Sequence, residues 1–511
     1  MKKRLCFGRK VLYSSYTQKD LDKETITEIL NNVFPLHLSN KADIKYLEDE
    51  YTGVQEILNK KNVVRPDINN IVVENFAFLI TEFKKSYVFS KPVKYVQTGE
   101  TVNDEISLLN RYMTLNRKHK KDVDLAESFY NNGIAHRLIL PSQGKAPFEI
   151  TNLDSKTTFV VYERAVGNKP LLACTYYACK DNNVWQYKGS VYTETEYYEF
   201  TFSLGRVTEI GKSKRHILGK IPIIEYRLNK SRLGIVEVTS SMRDALNKIT
   251  SGDADGLEQS IQTLVVFLNN DIDAETFKEL MALGAVKVKT ENASIPADVK
   301  LLVNNLDHSN VDVFYSRTLS NMLNIVGIPI PSTKTSGGDT GEARQLGDGW
   351  TMADLRADQD ELMFKDGEFQ LLEIALDICK KNPNCNIKDL EPEEVEAKFE
   401  RNKSDNLLVK TQSLVNLKSA QVSPKSAFSS VGLFSDPNAV VEESQEFFGD
   451  NFWKGENTEQ PVQEPTLTPD EKQMFENAEN KQNNNQNSKN KKRVVKETSP
   501  VNDFKKKVEQ N

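Results

Sequence analysis

The sequence has little cysteine, little histidine and no long apolar run. Its 511 residues include five cysteines, Cys6, Cys174, Cys179, Cys379 and Cys385. The set is odd and scattered, without the Cys-x-x-Cys spacing of zinc knuckles or redox sites, and reads as free thiols in a reducing compartment. The five histidines, His37, His119, His136, His216 and His308, lie far apart. None forms a His-Glu-x-x-His pair, so no local pattern marks a metal centre or a catalytic triad. No apolar run approaches the roughly 18 residues that cross a bilayer, and MKKRLCFGRK lacks the apolar core that follows the basic start of a signal peptide. A membrane is not an expected partner, and the chain is expected to stay in the cytoplasm where it is made. A cationic excess is missing as well. The formal net charge of −6 argues against a surface built to grip nucleic acid, because gripping means neutralising phosphates with Lys and Arg.

What is present is the composition of a soluble globular protein of several domains, with 38% hydrophobic and 27% charged residues. One stretch imitates a phosphate loop. GRVTEIGKS, Gly205 to Ser213, places five residues between its glycines where the loop needs four, and IPII follows as an extended segment instead of the helix that would hold a phosphate. Clustered carboxylates for two metals, which a nuclease or nucleotidyltransferase would need, are also missing. The acidic runs DGEFQLLE and LEPEEVE read as a helix face and its flank. No catalytic, cofactor-binding or metal-binding residue is assigned.

The periodicities divide the chain into blocks. Short helices are expected at Lys23 to Phe34 and Ser39 to Tyr51. A wide apolar helix with Ile71, Val72, Phe76, Leu79, Ile80, Phe83 and Tyr87 opens near Pro66 and stops at Ser-Lys-Pro. Asp104 to Asn116 and Asp122 to Asn132 form two more helices around the basic run RKHKK, read as a solvated connection. Phe148 to Phe202 alternates like an antiparallel sheet. A long helix follows over Ser240 to Asn269, with Met242, Leu246, Ile249, Leu257, Ile261, Leu264, Val265 and Leu268 on its apolar face. Two short strands at Ala285 to Lys289 and Val299 to Val303 and a helix at Val311 to Val326 come next. After the Gly/Ser/Thr loop of Pro331 to Arg344, a long helix is expected from Glu342 to Ile378, then a strand at Val395 to Arg401. Helices at Asn406 to Ala420, Pro424 to Val431 and Pro437 to Phe448 precede a tail, Gly449 to Asn511, that is expected to be disordered.

LEDEYTGVQEIL (Leu47 to Leu58), VRPDINNIVVENFAFLITEFKKSYVFSKPVKY (Val64 to Tyr95), DLAESFYNNGIAHRLIL (Asp124 to Leu140), GKIPIIEYRLN (Gly219 to Asn229) and the segment from Val395 to Glu443 occur in an order that resembles tailed-bacteriophage portal proteins of the subfamily common in phages of Gram-positive hosts. The resemblance covers about Lys41 to Glu443 and implies an α+β fold. Its parts would be an N-terminal segment at 1–40, a mixed wing at 41–233, stem helix one at 234–269, a strand-bearing clip at 270–308 and stem helix two at 309–329. A tunnel loop would follow at 330–341, a long helix joining wing and crown at 342–385, a helical crown at 386–448 and the tail at 449–511.

The resemblance implies a ring, a dodecamer in the virion, at one capsid vertex. Double-stranded DNA would pass through its channel without sequence preference, in packaging and in ejection. Its implied partners are the terminase large subunit, which carries the motor chemistry, the head-to-tail connector proteins, and the major capsid and scaffolding proteins. Ser332, Thr333, Lys334, Thr335, Ser336, Gly337 and Gly338 would face DNA, and Val286, Val288, Leu301 and Leu302 would build the clip, pairing across subunits or folding only within the ring. The rival readings are a capsid-bound enzyme and a non-channel virion structural or adaptor protein. Neither explains the order helix, tip, helix, loop, long helix.

Overall fold

The computed structural model describes residues 8–63, 65–98, 104–181, 184–203, 206–261, 264–268, 275, 278, 298–302, 308–330, 349–401, 407–434, 437–449 and 452–453. The chain divides into two compact units, Met1–Glu443 and Ser444–Asn511. The first is an α+β body built on two cores. Helix α1 (Lys23–Tyr51) opens at Asp22, whose carboxylate accepts from the Thr25 backbone N–H, the capping geometry that satisfies a free helix donor. It runs unbroken through Pro35, where two separate helices were expected. Proline removes one helix hydrogen bond, and here Val33, Phe34 and His37, all buried, hold the turns on either side in place. They pack α1 against a sheet ordered β1-β5-β6-β7-β8-β10, with β9 on β8. Its strands are β1 (Leu12–Ser14), β5 (Thr158–Glu163), β6 (Pro170–Asp181), β7 (Val184–Tyr192), β8 (Glu196–Ser203), β9 (Arg206–Ile210) and β10 (Lys214–Arg215). The antiparallel sheet expected over Phe148 to Phe202 is found from β5 to β8, but Phe148 to Leu153 belongs to a separate sheet, paired with Ile134 to Pro141. The Gly205 to Ser213 stretch contributes strand β9 and a connection to β10.

Strand β1 is an addition that the sequence did not announce. It pairs parallel to β5, and the residues before it reach elsewhere. The Gly8 N–H donates to Glu237 Oε1 at 3.1 Å, and the Arg9 guanidinium meets both oxygens of Glu237 at 2.9 Å. Gly8 sits at φ +65°, and a Cβ there would fall 1.9 Å from the Ser231 carbonyl oxygen, so only glycine fits this crossing.

The second core lies under a 32-residue helix, α7 (Trp350–Lys381). Around it stand α2 (Phe76–Val88), α3 (Asp104–Leu115), α4 (Lys118–Asn132) and the sheet β11-β3-β4, formed by β11 (Ile223–Arg227), β3 (Ile134–Pro141) and β4 (Phe148–Leu153). Phe364 is its hub, meeting Phe89, Phe129, Tyr226 and Phe399 at ring-centroid distances of 4.9, 5.5, 4.8 and 5.9 Å. Strand β14 (Val395–Lys398) pairs with β2 (Lys94–Gln97). The segment assigned to the crown from 386 therefore begins inside a sheet shared with the wing segment. Helices α8 (Leu407–Ser419) and α9 (Pro424–Val431) follow, joined by a hydrogen bond from Lys410 Nζ to the Gly432 carbonyl at 3.0 Å.

Helix α10 (Pro437–Phe448) spans the boundary between the two units, and its Pro437 and Val441 are buried. In the second unit, Phe447, Phe448, Phe452 and Trp453 form a chain of aromatic contacts. The expectation of disorder from Gly449 falls, beyond Trp453, outside the described residues. Cys174, Cys179, Cys379 and Cys385 are unbridged, as expected, and Cys6 is outside them too. Among the described residues no helix is long and apolar enough to cross a membrane.

Candidate channel arm and its anchor

Helix α5 (Ile235–Ile261) leaves the body, continues into β12 (Leu264–Leu268), and returns through β13 (Asp298–Leu302) and α6 (His308–Val326). The two helices run antiparallel. Leu246 of α5 shares an apolar cluster with Met322 and Val326 of α6, and further along the arm Lys248, Ile249, Gly252 and Asp253 face Asn310, Val311 and Phe314 across a groove. Strands β12 and β13 pair antiparallel in the register Leu264↔Leu302 to Leu268↔Asp298. The helix expected to reach Asn269 thus ends at Ile261, and Leu264, Val265 and Leu268 belong to a strand. A run such as LVVFL satisfies helical and extended periodicity alike, which is why the boundary was misread. The strand at 299–303 is found, but its partner is β12. The expected partner at 285–289, with Val286 and Val288, lies outside the described residues. Leu301 and Leu302 sit at the end of β13, opposite Val265 and Leu264. Ser332, Thr333, Lys334, Thr335, Ser336, Gly337 and Gly338 also lie outside the described residues, as do 342–348, and α7 is described from Trp350 instead of Glu342.

The arm is fastened to the body by a polar stripe. Thr239, Arg243, Asn247, Ser251 and Asp255 recur every fourth residue of α5, and all but Asp255 are buried. Three of them receive backbone N–H groups from an extended segment that lies along the helix. Glu74 donates to Asn247 Oδ1 at 2.8 Å, Val72 to Ser251 Oγ at 3.0 Å and Asn70 to Asp255 Oδ1 at 2.6 Å. The match is geometric. Four helical residues rise about 6 Å and two extended residues about 6.6 Å, so one register serves all three bonds. This explains why the expected helix does not open near Pro66. The N–H groups of 70, 72 and 74 are bound by α5, and α2 starts only at Phe76, capped by Asn75. Ile71 and Val72 therefore lie on the extended segment. Arg243 Nη1 donates to Glu50 Oε2 at 2.6 Å, and Lys60 meets Asp255 at 2.6 Å.

Beneath α7 a second polar group is wholly enclosed. Glu368, with no exposed surface, receives Arg137 at 3.2 Å, Lys118 at 3.0 Å, and the hydroxyls of Tyr95 and Tyr226 at 2.5 and 3.0 Å. Asp122 receives Lys118 at 2.7 Å and Arg137 at 2.8 Å. Two cations thus face two anions. Burial pushes the Glu368 carboxyl up, but Lys118 and Arg137 outweigh it and hold the group below its ordinary value. RKHKK, expected as a solvated connection, instead opens α4 with a buried Lys118, whereas DGEFQLLE, expected as a helix face, does lie within α7, its Glu368 turned inward and matched by partners from α4 and β3. Nearer the start of α7, Arg401 donates to Asp354 at 2.9 Å and Glu361 at 2.7 Å and also pairs with Asp358, while Tyr87 donates to Asp354 at 2.6 Å.

Apolar spacing carries no signal of the polar stripe or the buried quartet. A count of polar residues at four-residue spacing in Thr239 to Asp255 would have found the first. Among the described residues no group of three or more His, Cys, Asp or Glu side chains is placed to hold a metal ion. The arm also carries little positive charge. Helix α5 has Arg243 and Lys248 against Glu237, Asp244, Asp253, Asp255 and Glu258, and α6 has Arg317 against Asp312.

Known proteins similar to this chain come from phages and phage-like particles. The chain is similar to a portal protein of Clostridium phage phiCD119, 20% identical over 303 residues, covering 54% of this chain and 66% of that protein. In structure it is similar to the neck of an empty GTA particle computed with C6 symmetry, with TM-score 0.40, 12% identity, and coverage of 70% of this chain and 90% of that one. It is similar too to the virion of a native gene transfer agent particle, with TM-score 0.42, 11% identity, and coverage of 77% and 94%. The family model for phage portal proteins of the SPP1 Gp6-like type matches residues 30–447, and the chain belongs to that family.

Proposed function

We propose that copies of this chain form a dodecameric ring at one capsid vertex, with a central channel through which double-stranded DNA is packaged and ejected. The observation that carries the reading is the family match across residues 30–447, joined to an arm of two antiparallel helices and a strand pair. A channel for a polyanion must not hold it, since each neutralised phosphate adds salt-dependent affinity and therefore drag. The excess of acidic over basic residues in α5 and their balance in α6 support passage over binding. The arm's tip, with Leu301 and Leu302 and with Val286 and Val288, docks the terminase large subunit and later the head-to-tail connector. The body meets the major capsid and scaffolding proteins. Residues 332–338 reach toward DNA, with Lys334 as their one cation. The ring is assembled in the host cytoplasm and remains in the virion. No catalytic step is assigned to it.

The test is packaging by assembled particles. Lys334→Glu, or Gly337→Pro with Gly338→Pro, should leave rings intact and lower the DNA packaged or retained. Normal packaging in both would remove residues 332–338 from the mechanism. Val288→Asp with Leu301→Asp should weaken terminase or connector docking while the body stays folded. Unchanged docking would remove the tip from its proposed role.

A further inference from the structure

The segment leading into β1, helix α1 and strands β3, β5 and β11 meet around a cavity of about 20 Å³. Arg9, His37, Asn40, His136, Glu225 and Arg232 are among its walls, and each is at most 8% exposed. Polar atoms buried to that degree need partners inside the protein. Two of them lack one. His136 Nε2 and Arg9 Nε are buried without a hydrogen-bond partner among the described residues.

His136 on β3 and Glu225 on β11 stand directly opposite each other in the ladder. The His136 ring is held on one edge, with Nδ1 2.9 Å from Ser155 Oγ. Its other nitrogen, Nε2, lies 3.9 Å from Glu225 Oε2. That gap is too long for a hydrogen bond, yet one oxygen placed about 2.8 Å from each atom spans it. The second oxygen of Glu225 is taken by Arg232, at 2.7 Å from Nε and 2.6 Å from Nη2. Arg9 grips Glu237 through Nη2, which leaves its Nε–H as an unused donor.

Size and charge restrict what can enter. One water occupies about 10–15 Å³ of such space, so the cavity admits one and excludes any larger molecule. The two guanidiniums are matched by two carboxylates, Arg9 by Glu237 and Arg232 by Glu225, and an added ion of either sign would meet like charge. Lys10, which also lines the cavity, is exposed. His136 brings no charge, since burial, helped by Arg232, lowers its pKa to about 3. The occupant must also donate and accept at once, because an Arg Nε–H only donates and a carboxylate only accepts.

We infer that this cavity is a binding site for a single water molecule, which bridges His136 Nε2 to Glu225 Oε2 and accepts from the Arg9 Nε–H. It joins the first ordered residues of the chain to both strands of the β3-β11 pair, close to where Arg9 fastens the root of α5.

The test is a structure of the full chain at a resolution that shows ordered water. One isolated peak within hydrogen-bond distance of both His136 Nε2 and Glu225 Oε2 is expected, and bromide and rubidium soaks should give no anomalous signal there. A bromide peak would mean an anion site and a rubidium peak a cation site, and either overturns the water. A cavity without density, or His136 Nε2 bonded straight to Glu225, overturns it as well. His136→Phe keeps a ring of similar shape and removes both nitrogens, so the peak should vanish from that variant while Arg232 stays on Glu225. A peak retained in place would take His136 out of the site. Should the variant fail to fold, the wild-type map decides alone.

Discussion

The core under α7 and the core under α1 both keep titratable groups away from water, and they do so by opposite chemistry. Under α7, Lys118 and Arg137 are paired with Asp122 and Glu368, and two tyrosine hydroxyls complete the shell of Glu368. Under α1 the buried group is His37, whose Nε2 lies 3.0 Å from the Tyr176 hydroxyl among Phe34, Phe159 and Tyr176. Among the described residues no anion matches it, and burial, helped by His136 and Lys41, lowers its pKa to about 3. The first core keeps its charges by pairing them, whereas His37 is kept uncharged by burial. The difference teaches that the first core fails when a partner is removed, whereas the second fails when a proton is added.

The largest effect should follow from unpairing the quartet. Glu368→Ala leaves Lys118 and Arg137 buried with a single anion, and should cost roughly 3–5 kcal/mol, read as a fall in the urea midpoint of the isolated subunit. A loss under 1 kcal/mol would mean that water enters and rehydrates the cations. A smaller loss should follow in the aromatic core. Phe34 stacks on Phe202 at 3.9 Å between centroids, and Phe34→Leu should cost roughly 1–3 kcal/mol with little dependence on salt or pH. Strong salt dependence there would erase the contrast between the two cores.

A third effect concerns acid. His37 and His136 each have a folded pKa near 3 against an ordinary 6.5. Between those values the unfolded chain binds more protons than the folded one, so stability is full above pH 6.5 and falls as pH drops toward 3. Glu368, held below its ordinary value of 4.5, adds its loss only below that pH. Between pH 7 and pH 4.5 the two histidines should therefore lower the unfolding midpoint as the pH falls, while the Glu361 carboxyl, raised by burial above its ordinary 4.5, works the other way, and His37→Gln should make the decline shallower. An unchanged slope in that variant would show that His37 is not held neutral.

How much of this could be read from the sequence follows from what each signal reports. Apolar spacing found α2, α4, α6 and the bulk of α5 and α7, because those helices bury one face each. Aromatic alternation found β5 to β8. The same spacing could not place the start of α2, since the N–H groups that would have joined the helix are bound by side chains 173 or more residues away. Nor could it see that Lys118 is buried while Lys120, two residues on in the same basic run, is 77% exposed along its side chain. Composition treats the two alike, and only the fold brings Asp122, Arg137 and Glu368 to one of them. The tip residues and the loop at 332–338 rest on the order of neighbouring elements in the chain, which carries family resemblance but no geometry.

The short strand β1 has a consequence for the order in which the body can be made. Arg9 and the carboxylate it grips are 228 residues apart in the chain, so Arg9 is synthesised long before Glu237 exists. At about 5–20 residues per second the ribosome needs roughly 10–45 s to supply the missing partner. Throughout that interval the Arg9 guanidinium waits without its carboxylate, even after β5 has come out to pair with β1. One half of the contact at the root of the arm is thus translated long before the other, and the nascent chain cannot lock that root until α5 has emerged.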